Sequence, residues 1–542
     1  MNVAAFRFSL IFLLAVQARA ALPAPLAAAE RLGTVSFAIS CTQKVRAPFN
    51  RGVALLHDFW YEEAQRQFEQ IARTDPHCAM ARWGIAMSTF HQIWGRPDEE
   101  ERRRAWAALD KARKTPAHSA RERAYVAALT EFFRPGPKEF QVRIDAYAAA
   151  MASLYRRYPD DVDAGAFYAL SLLAAVPVGD LSLDGERTAL AILKPLLAKY
   201  PDHPGVAHYV IHASDTPSLA PEGLAAALRY GQIAPSAPHA AHMPGHIFSR
   251  LGMWQANIDA NLASVEAARI AELRHESGTM YVFHSNEFLL YAYLQAGQEG
   301  RAKDIVVKTS QLITQVATMP SMMDSSMLAE LPYYRAEFPA ILDLELRDWK
   351  SASVLEPIPD AGAGAKMLTR WARATAAGHL HLGAQAAAEL AAFDELLDEL
   401  GKGERAYLVK SNGVMIMHGA VQAWAAFAQG RSVEALTEMR ASADLQDRVG
   451  QDEVDIPARE MLADMLLDLG RAQEALAEYQ RSLTLSPMRF NGLYNAGMAA
   501  EAVHDNAGAA QFYRKLLQST DNGSESTRAE FAHVKGFLAA NP

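Results

Sequence analysis

The sequence predicts an all-α chain of stacked helical hairpins, and three observations carry that reading. Ala463, Ala475 and Tyr479, in "LADMLLDLGRAQEALAEYQRSLTLSP", recur 34 residues later as Gly497, Ala509 and Tyr513. That period suits a two-helix unit in which small residues allow close helix approach and an aromatic fills the neighbouring groove. The block "FNRGVALLHDFWYEEAQRQFEQIARTDP" has the same internal layout, with Gly52, Ala64, Phe68 and Pro76 at matching spacings. Finally, the apolar/polar alternation of half-buried strands is almost nowhere found.

Taken in chain order, the first element is a leader. "MNVAAFRFSLIFLLAVQARA" carries Arg7, an apolar run from Phe8 to Val16 and the small residues Ala18 and Ala20, the pattern of a secretory signal peptide over residues 1–20. Its apolar run is far below the roughly 20 residues needed to span a bilayer, and no later run is long enough. An extracytoplasmic location, periplasmic or secreted, is expected. A first array is expected over 33–356, with looser hairpins at "YAAAMASLYRRYPDDVDAGAFYALSLLAA" and at "LGMWQANIDANLASVEAA" paired with "AGQEGRAKDIVVKTSQLI". The Pro- and Gly-rich stretch "EPIPDAGAGAKM" marks a linker at 357–367, and a second array follows over 368–542.

These repeats resemble the tetratricopeptide-repeat (TPR) superfamily. The segment "SCTQKVRAPFNRGVALLHDFWYEEA" with "DPHCAMARWGIAM" is similar to a group of secreted bacterial TPR proteins whose role is mostly unassigned. The resemblance implies a TPR-like solenoid, in two arrays here, and no particular activity, since repeat arrays host many functions.

Composition excludes some classes. The formal net charge of −9 becomes −11 when Arg7 and Arg19 leave with the leader, which opposes nucleic-acid binding through basic surfaces. Cys41 and Cys78 are the two cysteines of the chain. In an oxidising compartment they are expected to form a disulfide. There is no serine elbow, phosphate loop or HExxH, so any enzymatic activity has to come from a metal.

The chemistry concentrates in histidines. Five of the 17, His208, His212, His239, His242 and His246, lie between residues 208 and 246, where even spreading predicts about 1.2. His208 and His212 stand four apart on one helical face, and His242 and His246 repeat the spacing. Pro244 suits only a first helical turn, so a helix is expected to start near Met243, leaving His239 on the entering loop and His242 either on that loop or at the helix start. His284, in "MYVFHSNEFLLYAYLQ", falls on the first helix of the following hairpin. First helices line the concave wall of a TPR array, so three consecutive ones are expected to present imidazoles to one groove.

Six imidazoles give three for each of two metal ions, a ligand set that favours copper over zinc and zinc over iron, with Met243 as a soft neighbour. Asp215 and Glu287 are the nearby carboxylates, able to ligate zinc or iron or to orient imidazoles. If the centre is catalytic, oxidoreductase chemistry is the favoured class; otherwise it is a metal carrier. The alternative is a metal-free scaffold holding a peptide or protein partner in the groove. His57 and His91 either extend the groove or, as the favoured reading, pack in the core, "HLH" (His379, His381) is expected to straddle a helix, and Arg335, Arg459, Glu460 and Arg489 to be buried or groove-lining charges. The run Met319, Met322, Met323 and Met327 reads as apolar filling rather than a copper relay.

Overall fold

A computed structural model describes residues 29–93, 95–115, 119–136, 139–318, 328–403, 405–450 and 455–542. The leader at 1–20 and the four methionines 319, 322, 323 and 327 lie outside the described residues. Among the described residues there is no strand, and the helices pair as antiparallel hairpins. In the N-terminal half these are α1 (Gln43–His57) with α2 (Tyr61–Thr74), α3 (Ala79–Ser88) with α4 (Glu99–Lys114), α5 (Ala120–Phe133) with α6 (Phe140–Arg157), α7 (Val162–Ala174) with α8 (Asp184–Lys199), and α9 (Pro204–Ala213) with α10 (Ala220–Ile233). Two short helices, α11 (Pro238–His242) and α12 (Pro244–Arg250), together pack on α13 (Trp254–Leu273), and α14 (Thr279–Gln295) packs on α15 (Glu299–Thr318).

The remainder continues with α16 (Leu331–Glu345), α17 (Trp349–Ser353), α18 (Ala363–His379) with α19 (Gly383–Lys402), α20 (Asn412–Ala428) with α21 (Ser432–Val449), α22 (Ala458–Asp468) with α23 (Ala472–Leu485), α24 (Phe490–Ala502) with α25 (Asn506–Ser519), and α26 (Glu530–Ala540). The fold is an all-α, TPR-like helical-hairpin solenoid. The repeat signature has a steric origin: a Cβ at Gly497 would collide with the ring of Tyr513, and one at Gly52 would lie 2.8 Å from the ring of Phe68. Both pairs stand 16 residues apart, first helix against second.

The first half closes on itself. Backbone bonds from Thr34 to Asp202 and from Ser236 to Arg31 lay the N-terminal segment along α9 and α10. Tyr281 donates to the carbonyl of Phe59, and the Trp60 indole to that of Ser277, so the α1–α2 turn packs against the start of α14. Cys41 and Cys78 are disulfide-bonded, with Cα atoms 5.0 Å apart, tying the entry of α1 to the entry of α3.

Buried side chains form two large clusters, one running from Leu32 to Tyr281 and the other from Trp254 to Val534. The stretch read as a linker is helical from Ala363 onward, and α16 before it packs on α18 after it. Arg489, 1% exposed, ties the halves together by pairing with Glu345 and Glu460 and donating to Tyr291. Arg459 is likewise buried, held by Asp444, Asp447 and Glu478. Arg335 is exposed on α16, so of the two placements expected for it the buried one is excluded. His379 ends α18 and stacks on Trp349, whereas His381 lies beyond the helix with φ 55°, so the two do not straddle one helix. No helix among the described residues is long and apolar enough to cross a membrane.

Candidate metal centre

All six histidines singled out from the sequence come together, in two groups of three. In triad A, His208 and His212 project from α9 and His239 from α11; in triad B, His242 ends α11, His246 lies on α12 and His284 on α14. Within each triad one ring nitrogen per residue lies within 4.8 Å of the other two. The triads are neighbours, with ring centroids 5.9 Å apart for His239 and His242 and 6.4 Å for His212 and His246.

Pro244 acts differently from the expectation. Pro238 starts a helical turn of its own, so His239 and His242 are helical rather than on a loop. Met243 keeps helical angles (φ −51°, ψ −34°), and Pro244 opens the next short helix at its first position, where its missing N–H costs nothing. The two helical pieces thus carry three histidines at spacings that serve both triads. The centre is interior rather than spread along an open groove: His208, His239 and His242 are buried, His212 is partly exposed, and the His284 side chain is 40% exposed.

An aromatic ring backs each triad. Phe59 lies 4.3, 5.4 and 5.5 Å from the rings of His208, His212 and His239, and Phe288 lies 4.7, 4.7 and 5.3 Å from those of His242, His246 and His284. Phe59 is fully buried with φ 54°, a left-handed conformation that a bulky side chain rarely adopts and that the surrounding packing must hold.

The outer ring nitrogens decide the chemistry. In triad B, Nδ1 of His242 faces Oδ1 of Asn261 at 2.7 Å, Nδ1 of His246 faces Asp215 at 2.8 Å, and Nδ1 of His284 faces Glu287 at 2.5 Å. Asn261 donates its own amide N–H to Asn257, which leaves Oδ1 as acceptor. Each Nδ1 therefore donates, which in a neutral ring puts the lone pair on Nε2. His208 does the same in triad A, donating through Nδ1 to the carbonyl of His57, the last residue of α1, at 2.5 Å. The inner nitrogens converge: His208 to His212 at 3.0 Å, His208 to His239 at 3.1 Å, and His242 to His246 at 3.0 Å, all through Nε2. A metal bonded at about 2.0–2.1 Å in tetrahedral geometry sets its nitrogens roughly 3.3–3.4 Å apart, close to these spacings.

Electrostatics agree. Burial, joined by repulsion from the neighbouring imidazoles, pushes His208, His239 and His242 well below the ordinary histidine value and His212 down to about 3. That direction favours the neutral form of these four rings, the form in which imidazole ligates a metal. Asp215 is fixed in turn by Arg250, Nε to Oδ1 at 2.9 Å. Asp215 and Glu287 each accept from a triad histidine.

A third group, His57, Asp163 and His203, was not read from the sequence as a unit. Its nitrogens and carboxylate oxygen also lie within 4.8 Å of one another, yet it is a closed network. His203 Nδ1 accepts from the Val206 N–H, so its Nε2 donates to Asp163 at 3.3 Å; His57 Nε2 lies 3.0 Å from the same oxygen, and its Nδ1 lies 2.9 Å from the Tyr209 hydroxyl. Burial pulls His57 down to about 4, while the bonds from His203 and His57 outweigh burial and hold the Asp163 carboxyl far below its usual range. The His57 ring also stacks on Phe167, as core packing requires. His91 stacks on Tyr61 at 4.3 Å, again a packing contact.

Asn261 and Phe59 also escaped sequence reading. Asn257 and Asn261, four apart on α13, carried a usable signal: a polar pair on a core-facing stripe needs buried partners. Phe59 carried none, because 149 positions separate it from His208.

No protein-family model matches the chain, and no curated protein matches it. Among solved structures, it is similar to the human IFIT1 dimer with PPP-AAAA at 12% identity and a TM-score of 0.36, covering 86% of this chain and 94% of that one. It is also similar to the TPR domain of P58(IPK) at 16% identity and a TM-score of 0.21, covering 70% of this chain and 99% of that one.

Proposed function

We propose that this protein is an exported metalloprotein that holds two ions, one in each histidine triad. The observation that supports the reading is the arrangement of triad B, where one ring nitrogen from each of three histidines comes within 4.8 Å of the other two while all three Nδ1 atoms face acceptors outside the triad. Lone pairs meeting in a buried space repel one another, and a shared cation turns that repulsion into ligation. Copper is the first choice, since the donors are nitrogen alone with no thiolate. Zinc follows, because three protein ligands and one open position suit its tetrahedral preference. Iron is disfavoured, since Asp215 and Glu287 are occupied with ring N–H groups rather than aimed inward.

With copper, the pair would supply electron-transfer chemistry, so an oxidoreductase is the favoured activity and a metal carrier the second. The chain's own part is to bury most of the imidazoles and to orient those of His208, His242, His246 and His284 through their Nδ1 partners. Export is supported by the leader pattern of residues 1–20 and by the disulfide. A scaffold reading has its own support in a cavity of about 890 Å³ bordered by Tyr333, Met367, Leu408, Ile416 and Gln446, large enough for a peptide segment.

The test is metal analysis of protein purified from the periplasm of an expression host. About two equivalents of copper or zinc per chain are expected, with one lost in His212→Ala and one in His242→Ala. Metal-free protein that still captures a peptide partner would favour the scaffold.

A further inference from the structure

The two triads are chemically unlike, and the difference lies outside the six rings. In triad B two of the three Nδ1–H groups point at carboxylates, Asp215 and Glu287, and the third at an amide oxygen. In triad A the His208 Nδ1–H points at a neutral backbone carbonyl. A carboxylate on the far nitrogen makes an imidazole more basic and more anionic, which strengthens its bond to a divalent cation. Access differs in the same sense. His208 is fully buried and His239 is 2% exposed, whereas the His284 side chain at the edge of triad B is 40% exposed. In triad A solvent reaches His212 in part, and that ring faces the His246 ring of triad B.

Building on the two-ion reading above, we propose that the centre is asymmetric: triad B loads first and binds its divalent ion more tightly, and that ion takes an external ligand at the His284 edge. The chemical class of that ligand follows from charge. Two divalent ions outweigh Asp215 and Glu287, and Arg250 beside Asp215 adds another positive group. A small anionic oxygen or nitrogen donor is therefore the ligand such a site favours, reached from the exposed side and closed off on the other by Phe288.

The experiment is a titration of chelator-stripped full-length protein with Co²⁺, following the visible absorption of the cobalt–imidazole chromophore, with azide added after the first equivalent. Two binding steps at least tenfold apart are expected, with azide perturbing the spectrum at one equivalent. His284→Ala removes the first step and the azide response and keeps the second; His239→Ala keeps both the first step and the azide response. Glu287→Gln, isosteric and at a partly open edge, weakens the first step by about 10- to 100-fold and leaves the second unchanged. Two equivalents bound in one step, or Glu287→Gln without effect, would overturn the asymmetry while leaving the two-ion reading standing. Failure to bind any cobalt would overturn both.

Discussion

Triad B and the His57–Asp163–His203 group contain the same kinds of atoms at similar separations, and they do opposite things with them. In the second group every ring N–H meets an acceptor and every ring lone pair meets a donor, with the Asp163 carboxylate collecting two N–H groups. In triad B the Nδ1 atoms all face acceptors outside the triad, Asn261, Asp215 and Glu287, so that neutral rings carry their lone pairs on Nε2. Proximity of histidines alone is therefore a poor guide to a metal site. The partner of the far nitrogen decides whether a cluster is finished as it stands or needs a cation.

The sharpest break of that comparison is a pair of substitutions. His242→Ala removes a ligand and is expected to lower affinity for one ion by at least about 100-fold, since an incomplete pair of imidazoles binds weakly. Asp163→Asn is expected to keep both ions and instead lower unfolding stability by about 2–3 kcal/mol, the scale of hydrogen bonds to a buried charge. Metal stoichiometry and chemical denaturation on both variants check this; loss of an ion from Asp163→Asn would erase the distinction. The disulfide gives a comparable expectation. Replacing Cys41 and Cys78 with serine should cost about 2–4 kcal/mol and leave metal content unchanged.

A smaller effect per group sharpens the comparison through pH. Histidines whose folded value is depressed bind protons more readily in the unfolded chain. Stability is thus fully present above their ordinary value near 6.5 and is lost as pH falls, through about 4 for His57 and about 3 for His212. Each fully buried histidine of this kind removes about 1.4 kcal/mol per pH unit within its window. Metal-free protein should therefore lose stability steadily below pH 6.5, while metal-loaded protein resists until protons displace the ions; thermal melts from pH 7 to 5 with and without metal measure the gap. Superimposable curves would contradict metal ligation by these rings.

The fold was legible because its signal is local: the spacing of Gly497 from Tyr513 and of Gly52 from Phe68 encodes one steric contact repeated along the chain. The six histidines were legible for a related reason, since helical spacing within one hairpin and the stacking of successive first helices bring them together. What escaped depends on closure. The first half bends round until the α1–α2 turn meets α14, and that brings Phe59 and the His57 carbonyl to triad A. No periodicity reports where a solenoid closes. Pro244 misled for a subtler reason: the chain spends two short helices on it, so the turn holding His239 and His242 is helical on both sides of the proline. Around Pro357, composition pointed to a linker, yet the packing of α16 on α18 is set by apolar residues such as Ile341 and Leu368 on either side.

The most direct test of the central claim is a crystal structure of protein isolated with its native metal, with anomalous diffraction recorded across the copper and zinc absorption edges. Two anomalous peaks are predicted, one bound by Nε2 of His208, His212 and His239 and the other by Nε2 of His242, His246 and His284, and none at Asp163. Water molecules hydrogen-bonded to the inner nitrogens, with no anomalous signal at either triad, would contradict the account.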